Sequence, residues 1–426
     1  MGIQNPADSA ARNLLAGFFD AGSFVEIDRF AMDGDLPVAA VAGYGTVDGA
    51  PVYAFAQDHD VCCGAVGKAQ AAKIRKVYEL AAQNGAPVVA VYDSDGAKLG
   101  EGIDAMDAVA DILMAANELS GVVPQIAVVA GGCVGSSALM AAAADVVIAC
   151  EGSDYRLNVG DDQATADVEA ASVADALETV RALLAALPAN NLSVAPVYEA
   201  DTATVETADV QGAVEAFADA GTVVMLTDKD GVRTAFARVG GVSCGLVSLY
   251  AEDKLSCASI RASRFVRLCD SFSIPVITFV DAAGFGCLNC AAKASQAYAE
   301  ATTAKITVIG GRAYGAAYIA VAGKRAGADA VLAWPTAKIG ALAPETAVHL
   351  QWKDRLAAMA DPAKDRAKLI KEYEDTMYDP MVAAANGYVT DVVTVGETKA
   401  RLVALLDMLS GKRVTKLPKK HANIQL

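Results

Sequence analysis

The stretch Val129–Ala149, VAGGCVGSSALMAAAADVVIA, decides the fold of this chain. An apolar run typical of a strand passes through three glycines and a serine pair into an alanine-rich segment typical of a helix. A second stretch, Val308–Ala333, repeats that order as VIGGRAYGAAYIAVAGKRAGADAVLA, with Gly315 in the place of Gly135. Two copies of one turn indicate a duplicated structural unit.

The segments before these stretches repeat as well. GAPVVAVYDSDG (85–96) and SIPVITFVDAAG (273–284) are both proline-led, β-branched runs that end in an aspartate and a glycine, as buried parallel strands do. FFDAGSFVEIDRF (18–30) also resembles FADAGTVVMLTDK (217–229). Strands that alternate with helices predict the α/β class with parallel sheets. Residues 187–208, rich in proline, asparagine and threonine, are the predicted linker between the two copies.

Composition limits the kind of protein. A chain of 426 residues predicts two domains of roughly 200 residues each. A net charge of -16 argues against nucleic acid as a partner. We expect a cytoplasmic protein, because no apolar run reaches the length of a membrane helix and no signal peptide is evident.

Nine cysteines, an odd number, fit a reducing compartment. Cys287 and Cys290 have CxxC spacing, but the sequence offers no second pair or histidine near them. We therefore favour two incidental thiols over a redox or metal site, and expect no metal.

The glycine-rich turns allow two interpretations. Backbone N–H groups at a strand-to-helix turn lack partners, and small residues would let a thioester carbonyl approach them as in an oxyanion hole. Close packing of a helix on a strand also selects small residues. Each half offers two such turns, and their occurrence in both halves favours the oxyanion hole. No GxGxxG opens a first helix and no GxxxxGK[ST] is present, which argues against a dinucleotide or P-loop site.

At this point the chain resembles the carboxyltransferase subunits of biotin-dependent acyl-CoA carboxylases and of related acyl-CoA decarboxylases. The resemblance is nearly full length. It is carried by AGSFVEIDRF, GYGTVDGAPVYAFAQD, AVGKAQAAKIRKVYELAAQNGAPVV, SGVVPQIAVVAGGCVG, IPVITFVDAAGF, AYGAAY, GADAVLAWPTAKIG and NGYVTDVV, together with the tail PKKHANIQL.

The resemblance implies two tandem crotonase-like (ClpP/crotonase) ββα-superhelix domains, at 1–190 on the acyl-CoA side and at 209–426 on the biotin side. It implies a homo-oligomer, a dimer of trimers or a related assembly, in which the N-half of one subunit meets the C-half of another. One oxyanion hole would stabilise the enolate of the CoA thioester, and the other the ureido oxygen of biotin. No histidine is needed, and we interpret His59, His349 and His421 as structural or surface residues.

The family's site residues carry over by position. The Gly-Gly pair of the N-half falls on Gly135 and Ser136, and the Gly-Ala pair of the C-half on Ala316 and Ala317. The strand-end turns add Gly96, Ala97, Gly284 and Phe285. For the phosphates of CoA the helix sequence offers Lys68, Lys73, Arg75 and Lys76, although a solvated helix face would carry the same cations.

The sequence contains no AMKM biotin-acceptor motif. The resemblance therefore implies biotin on a separate biotin carboxyl carrier protein, with a biotin carboxylase or membrane decarboxylase subunits as further partners. Those partners could associate this chain with a membrane.

Besides Ser136 and Ala316, which stand where the family has glycine, the chain departs from the family pattern in three further places. DSGGAR is here DSDGAK, with Asp95 and Lys98, and the segments GFGCLNCAAK (284–293) and SDYRLNVGDDQATADV (153–168) are shortened. An acid beside the turn predicts an altered substrate or a weakened site. Two alternatives stay open: a carboxyltransferase-like subunit with an eroded site, and a biotin-independent acyl-CoA hydrolase or hydratase with Glu101 as its acid or base.

Overall fold

The computed structural model describes residues 8–201, 203–359 and 362–423. They divide into two compact units between Val194 and Ala195. Each unit contains one eight-stranded sheet. The first seven and last three residues of the predicted domains lie outside the described residues.

In the first unit, helices alternate with the strands of the sheet along the chain. Its helices are α1 Ala10–Phe18, α2 Lys68–Asn84, α3 Ile103–Glu118, α4 Ser136–Ala142 and α5 Val173–Ala186, with short 3₁₀ turns at Cys62–Gly64 and Leu99–Glu101. Its strands are β1 Val25–Glu26, β2 Met32–Asp33, β3 Leu36–Pro37, β4 Ala40–Val47, β5 Ala50–Gln57, β6 Val88–Ser94, β7 Gln125–Val134, β8 Val146–Cys150, β9 Asp154–Arg156 and β10 Val168–Ala170.

The second unit repeats this plan and adds helices near its end. Its helices are α6 Ala213–Phe217, α7 Ser259–Ser271, α8 Leu288–Glu300, α9 Pro344–Gln351, α10 Lys353–Ala357, α11 Pro362–Met377, α12 Pro380–Ala385 and α13 Val395–Leu409, with a π-helix at Tyr318–Ala322 and a 3₁₀ turn at Lys324–Ala326. Its strands are β11 Val224–Lys229, β12 Val232–Val239, β13 Val242–Tyr250, β14 Val276–Ala282, β15 Lys305–Tyr314, β16 Ala330–Ala333, β17 Lys338–Gly340 and β18 Asp391–Val392.

The two sheets have the same strand order. The first runs β1-β4-β5-β6-β7-β8-β10 with β9 beside β7, and the second runs β11-β12-β13-β14-β15-β16-β18 with β17 beside β15. In each sheet two antiparallel pairings lead into parallel ones. The predicted duplication of an α/β unit is therefore confirmed, because each strand of the first eight-stranded sheet has a counterpart in the second.

The apolar runs form the cores. Strands β6 and β14 are buried almost throughout, since helices cover both faces of a parallel sheet and select continuous apolar sequence. Phe55, Tyr78 and Tyr92 lie at the centre of the first core, and Phe217, Phe279 and Trp334 at the centre of the second. Within the part of the chain that the structure describes, no helix combines the length and apolarity needed to cross a membrane.

One element differs between the copies. In the first unit the glycine-rich turn opens the α-helix α4, whereas in the second the helical residues 316–317 continue as the π-helix Tyr318–Ala322. Such i→i+5 turns occur often at functional sites. The alanine-rich pattern predicts a helix in both copies but contains no signal for the wider turn.

Candidate oxyanion-binding turns

Two turns lie at the carboxyl ends of β6 and β7 in the first unit. The pairing of these strands shifts register just before Ser94, which lies opposite Cys133. There the Asp93 carboxylate accepts a hydrogen bond from the backbone N–H of Gly132 at 3.0 Å. A Cβ on Gly131 would lie 2.3 Å from Asp93 Oδ1. The glycine therefore allows the strand-end aspartate to hold the second turn in place.

The backbone amides of the two conspicuous glycines are already used. The N–H of Gly96 donates to Ser94 Oγ at 3.1 Å. The N–H of Gly135 donates to the carbonyl of Arg156 at 3.1 Å. Gly135 has φ +63°, a conformation that glycine adopts at little cost. These two glycines therefore shape the turns, and the amides that could bind a ligand belong to the residues that follow them.

The next amide along each turn has no acceptor. A parallel bridge joins Val66 to Ala97. In this bridge the N–H of Val66 donates to the Gly96 carbonyl at 2.8 Å, and the N–H of Lys98 donates to the Val66 carbonyl at 2.9 Å. The Ala97 amide points away from that bridge because alternate backbone groups face opposite ways along an extended segment. Within residues 8–201, neither the Ala97 amide nor the Ser136 amide donates to a protein acceptor.

A cleft of about 450 Å³ opens beside these two amides. Ser136 is one of the residues that line the cleft, and its hydroxyl is itself buried without a hydrogen-bond partner among the described residues, so one buried polar group at this turn is left unsatisfied. A cavity of this size fits the reacting end of a small ligand. Its lining consists of Cys62, Ala65, Asp95, Gly96, Ala97, Lys98, Leu99, Met106, Val134, Gly135 and Ser136.

The second unit reproduces the first of these turns. A parallel bridge joins Leu255 to Phe285. The N–H of Leu255 donates to the Gly284 carbonyl at 2.8 Å, and the N–H of Gly286 donates to the Leu255 carbonyl at 2.9 Å. The Phe285 amide therefore faces away from the bridge, as the Ala97 amide does in the first unit. The two donor–acceptor distances match those of the first unit to within 0.1 Å, although the two turns differ in sequence.

The other turn is reproduced as well. The N–H of Gly315 donates to the Gly340 carbonyl at 3.0 Å, and Asp281 accepts from the backbone of Arg312 at 2.8 Å. The following residue, Ala316, is exposed and its amide donates to no acceptor within residues 203–359, whereas Ala317 is buried. Of the predicted pair, Ala316 is the residue that a ligand can reach.

At equivalent positions of the two units, two N–H groups therefore have no partner among the residues that the structure describes: those of Ala97 and Ser136 in the first, and those of Phe285 and Ala316 in the second. Unpaired backbone donors stabilise an oxygen that gains negative charge, because they need no reorganisation when the charge forms. The turns thus have the chemistry of an oxyanion hole.

The charges beside the first cleft are balanced within the protein. The Lys98 ammonium binds Asp33, which raises the pKa of Lys98, and it also lies 3.0 Å from Glu101. Glu101 in turn accepts the backbone N–H of Lys68 at 2.8 Å. Asp95 is exposed in the cleft lining. The lysine that replaces the family's arginine therefore ties the turn to its neighbours.

Three of the four predicted phosphate ligands are accessible. Lys68 pairs with Asp104, Arg75 with Glu79 and Asp111, and Lys76 with Asp28, all at the surface. Lys73 is different: its side chain is 4% exposed, it pairs with Glu26 at 3.1 Å, and burial lowers its pKa. Because the Lys73 ammonium is buried against Glu26, it is not accessible to a phosphate, and we propose only the other three cations as phosphate ligands.

Sequence reasoning missed two features of this site. His59 Nδ1 lies 3.3 Å from Asp93 Oδ1, although no motif surrounds this histidine in the sequence. The unsatisfied Ser136 hydroxyl was also not foreseen. A serine where the family has glycine was the only available signal.

Comparison with known proteins gives consistent results. The model of the carboxyl transferase domain matches residues 8–163 and 162–424. The chain is 34% identical to the methylmalonyl-CoA decarboxylase subunit alpha of Propionigenium modestum over 98% of this chain and 93% of that protein. It is 34% identical to the propionyl-CoA carboxylase beta chain of Saccharopolyspora erythraea over 98% and 90%.

A solved structure is similar along nearly the whole chain. The crystal structure of the transcarboxylase 12S hexamer, with methylmalonyl-CoA and methylmalonic acid bound, has a TM-score of 0.89 and 32% identity. The match covers 98% of this chain and 92% of that one. This likeness confirms the predicted fold, two crotonase-like domains. The two stretches matched by the domain model meet at residues 162–163, inside the segment 153–168 that the sequence predicts to be shortened.

Proposed function

The chain belongs to the carboxyl transferase domain family, and from this premise we propose that its two pairs of unpaired amides are the oxyanion holes of a carboxyl transfer between biotin and an acyl-CoA. The chain is a biotin-dependent acyl-CoA carboxyltransferase. The observation that supports the assignment of the site occurs in both units: among the described residues of each unit, the same two N–H groups have no acceptor.

In the first unit, we assign the amides of Ala97 and Ser136 to the thioester oxygen of the acyl-CoA. When the carboxylate leaves the α-carbon, the electron pair of the broken C–C bond is delocalised onto this oxygen as an enolate, and the α-carbon then takes up the proton that the ureido nitrogen gives up. In the opposite direction, loss of that α-proton to the ureido nitrogen forms the same enolate before the new C–C bond is made. Two N–H donors stabilise that charge, each contributing about 10²–10³ to the rate.

In the second unit, the amides of Phe285 and Ala316 would hold the ureido oxygen of biotin. Biotin, when bound, carries the carboxylate on a ureido nitrogen. A neutral urea oxygen fits this turn, since two backbone donors recognise an acceptor without needing a charge. We therefore assign residues 1–190 to the acyl-CoA side and residues 209–426 to the biotin side.

We propose that biotin arrives on a separate biotin carboxyl carrier protein. The similarity to a methylmalonyl-CoA decarboxylase alpha subunit supports membrane decarboxylase subunits as partners, and the similarity to a carboxylase beta chain supports a biotin carboxylase. The similarity to the transcarboxylase 12S hexamer supports a homo-oligomer.

The alternative of a biotin-independent hydrolase or hydratase is less well supported. It depends on Glu101 as a free acid or base, whereas this carboxylate accepts the Lys68 amide and pairs with Lys98. A carboxylate held in this way stabilises the start of α2. We therefore favour the biotin-dependent reaction.

The test is carboxyl loss from malonyl-, methylmalonyl- and glutaconyl-CoA, with and without free biotin or a biotinylated carrier. We expect loss of the carboxylate from one of them only when biotin is present. Release of free CoA without biotin would support a hydrolase. No reaction with any of the three, together with measurable CoA binding, would support an eroded site.

The phosphates of CoA provide a second prediction. We expect that a Lys68→Gln, Arg75→Gln, Lys76→Gln triple variant raises KM for the acyl-CoA about 10-fold, because each charge-assisted contact to phosphate contributes roughly 1.5–3 kcal/mol and is partly offset by the existing surface pairs. The kcat should change little, since these side chains lie outside the turns.

The matched control is Lys371→Gln, which removes an exposed lysine of the second unit. It should leave KM unchanged. The 3′-dephospho form of the CoA thioester provides a second comparison: the triple variant should lose most of the wild-type preference for the phosphorylated form. If that preference persists in the triple variant, these cations do not bind the phosphate.

A further inference from the structure

Three cysteines converge in the second unit. Cys257 lies between β13 and α7, whereas Cys287 and Cys290 lie at the start of α8. The three Sγ atoms all lie within 4.8 Å of one another. The sequence offers only the CxxC pair, and the fold supplies the third thiol that this pair lacks.

The cluster lies at the junction that charged groups hold together in the first unit. The bridges align Val66 with Leu255 and Ala97 with Phe285, so Cys257 and Cys287 occupy the places of Lys68 and Leu99. In the first unit, Glu101 ties the strand-end turn to the start of α2 through the Lys68 amide and the Lys98 ammonium. The second unit has thiols at this junction in place of those charged groups.

The thiols contact one another and the backbone at the start of α8, where the amides of Asn289 and Cys290 donate to the Cys287 sulfur. Cys290 Sγ lies 3.8 Å from the Cys257 carbonyl, which is a weak hydrogen bond. No disulfide joins any of the nine cysteines. The burial of the three thiols is graded, with Cys290 buried, Cys287 half-buried and Cys257 exposed. A ligand could therefore enter from the Cys257 side and reach all three sulfur atoms.

We propose that Cys257, Cys287 and Cys290 bind one Zn²⁺ ion as three thiolates, with a fourth position open to water. Tetrahedral Zn²⁺ with Zn–S distances of about 2.3 Å places its sulfur ligands roughly 3.8 Å apart, so the observed cluster needs to contract by no more than about 1 Å. Thiolate ligands select thiophilic ions over Mg²⁺ or Ca²⁺. The ion would link the turn after Phe285 to the start of α7, as Glu101 links the corresponding elements of the first unit. This site revises the expectation from sequence that the Cys287–Cys290 pair is incidental.

The test is metal binding by the reduced full-length chain, measured by competition with a chromophoric chelator and by the thiolate-to-metal absorption of Co²⁺. We expect one Zn²⁺ per chain, with affinity reduced roughly 100-fold in Cys257→Ser and in Cys290→Ser, because loss of a direct ligand should cost at least as much as loss of a group that supports one. The control Cys62→Ser removes an exposed thiol of the first unit that lies outside the cluster and should bind as wild type.

Cys257→Ser changes an exposed side chain and should not impair folding, so it decides the result if Cys290→Ser fails to fold. Binding by Cys257→Ser with wild-type affinity would overturn the proposal. So would a reduced wild-type chain that binds no Zn²⁺, or one whose bound Co²⁺ shows no thiolate absorption. Because the readout is metal affinity and spectrum, it does not depend on the proposed carboxyl transfer.

Discussion

Replacing Ser136 with proline is expected to lower kcat for carboxyl transfer about 10²–10³-fold while the chain stays folded. Proline removes one backbone N–H and nothing else that the protein uses, because the Ser136 amide has no acceptor within the first unit's described residues. Loss of a single oxyanion-hole donor typically has an effect of this size. The measurement is the steady-state rate of biotin-dependent carboxyl transfer.

The substitution suits the local structure. Gly135 accepts the N–H of Leu139 at 3.1 Å, so Ser136 is the first residue of α4, the position at which proline is tolerated best. The matched control is Ser136→Ala, which keeps the amide and removes a buried hydroxyl without a partner. Removing an unsatisfied buried group should not destabilise the chain, and most of the activity should remain. Equal activity of the proline and alanine variants would exclude this amide from the reaction.

In the second unit, Ala316→Pro is expected to lower kcat by a similar factor, about 10²–10³. Ala316 has the same position as Ser136, since Gly315 accepts the N–H of Ile319 at 3.0 Å and the Ala316 amide is unpaired within residues 203–359. Because we assign this turn to biotin, KM for the acyl-CoA should change less than about 3-fold. Initial rates at varied acyl-CoA and varied biotin separate the two effects.

The control for this variant is Ala316→Ser, which keeps the amide. If the Ala316→Pro variant binds acyl-CoA more weakly but responds to biotin as the wild type does, the assignment of the two units is reversed. Wild-type kcat in Ala316→Pro would remove the second hole from the account.

Much of the fold follows from sequence for a physical reason. Strands that are buried on both faces must be apolar along their whole length, and the runs ending at Asp93 and Asp281 show this twice. Since glycine is needed where a side chain would strike those aspartates, the spacing from aspartate to glycine turn also repeats. The repeated α/β unit, its parallel strands and the location of both turns in the sequence could therefore be predicted.

The identity of the free amides could not be predicted. Which amide of each turn stays free depends on which one already has an acceptor elsewhere in the fold. The Arg156 carbonyl accepts the N–H of Gly135, and the Ser94 hydroxyl accepts the N–H of Gly96. The burial of Lys73, in α2, likewise depends on Glu26, which lies in β1 and is distant in sequence. The thiol cluster depends on Cys257, whose approach to the CxxC pair is set by the packing of α7 beside α8.

The most direct test of the central claim is the infrared stretching frequency of an isotope-labelled thioester carbonyl in acyl-CoA bound without biotin. Two backbone donors at the carbonyl oxygen polarise the C=O bond, so the band should move to lower frequency on binding to the wild-type chain. Roughly half of that shift should disappear in Ser136→Pro, and it should remain in Ser136→Ala. A bound carbonyl that absorbs at its frequency in water, in wild type and variants alike, would contradict the account.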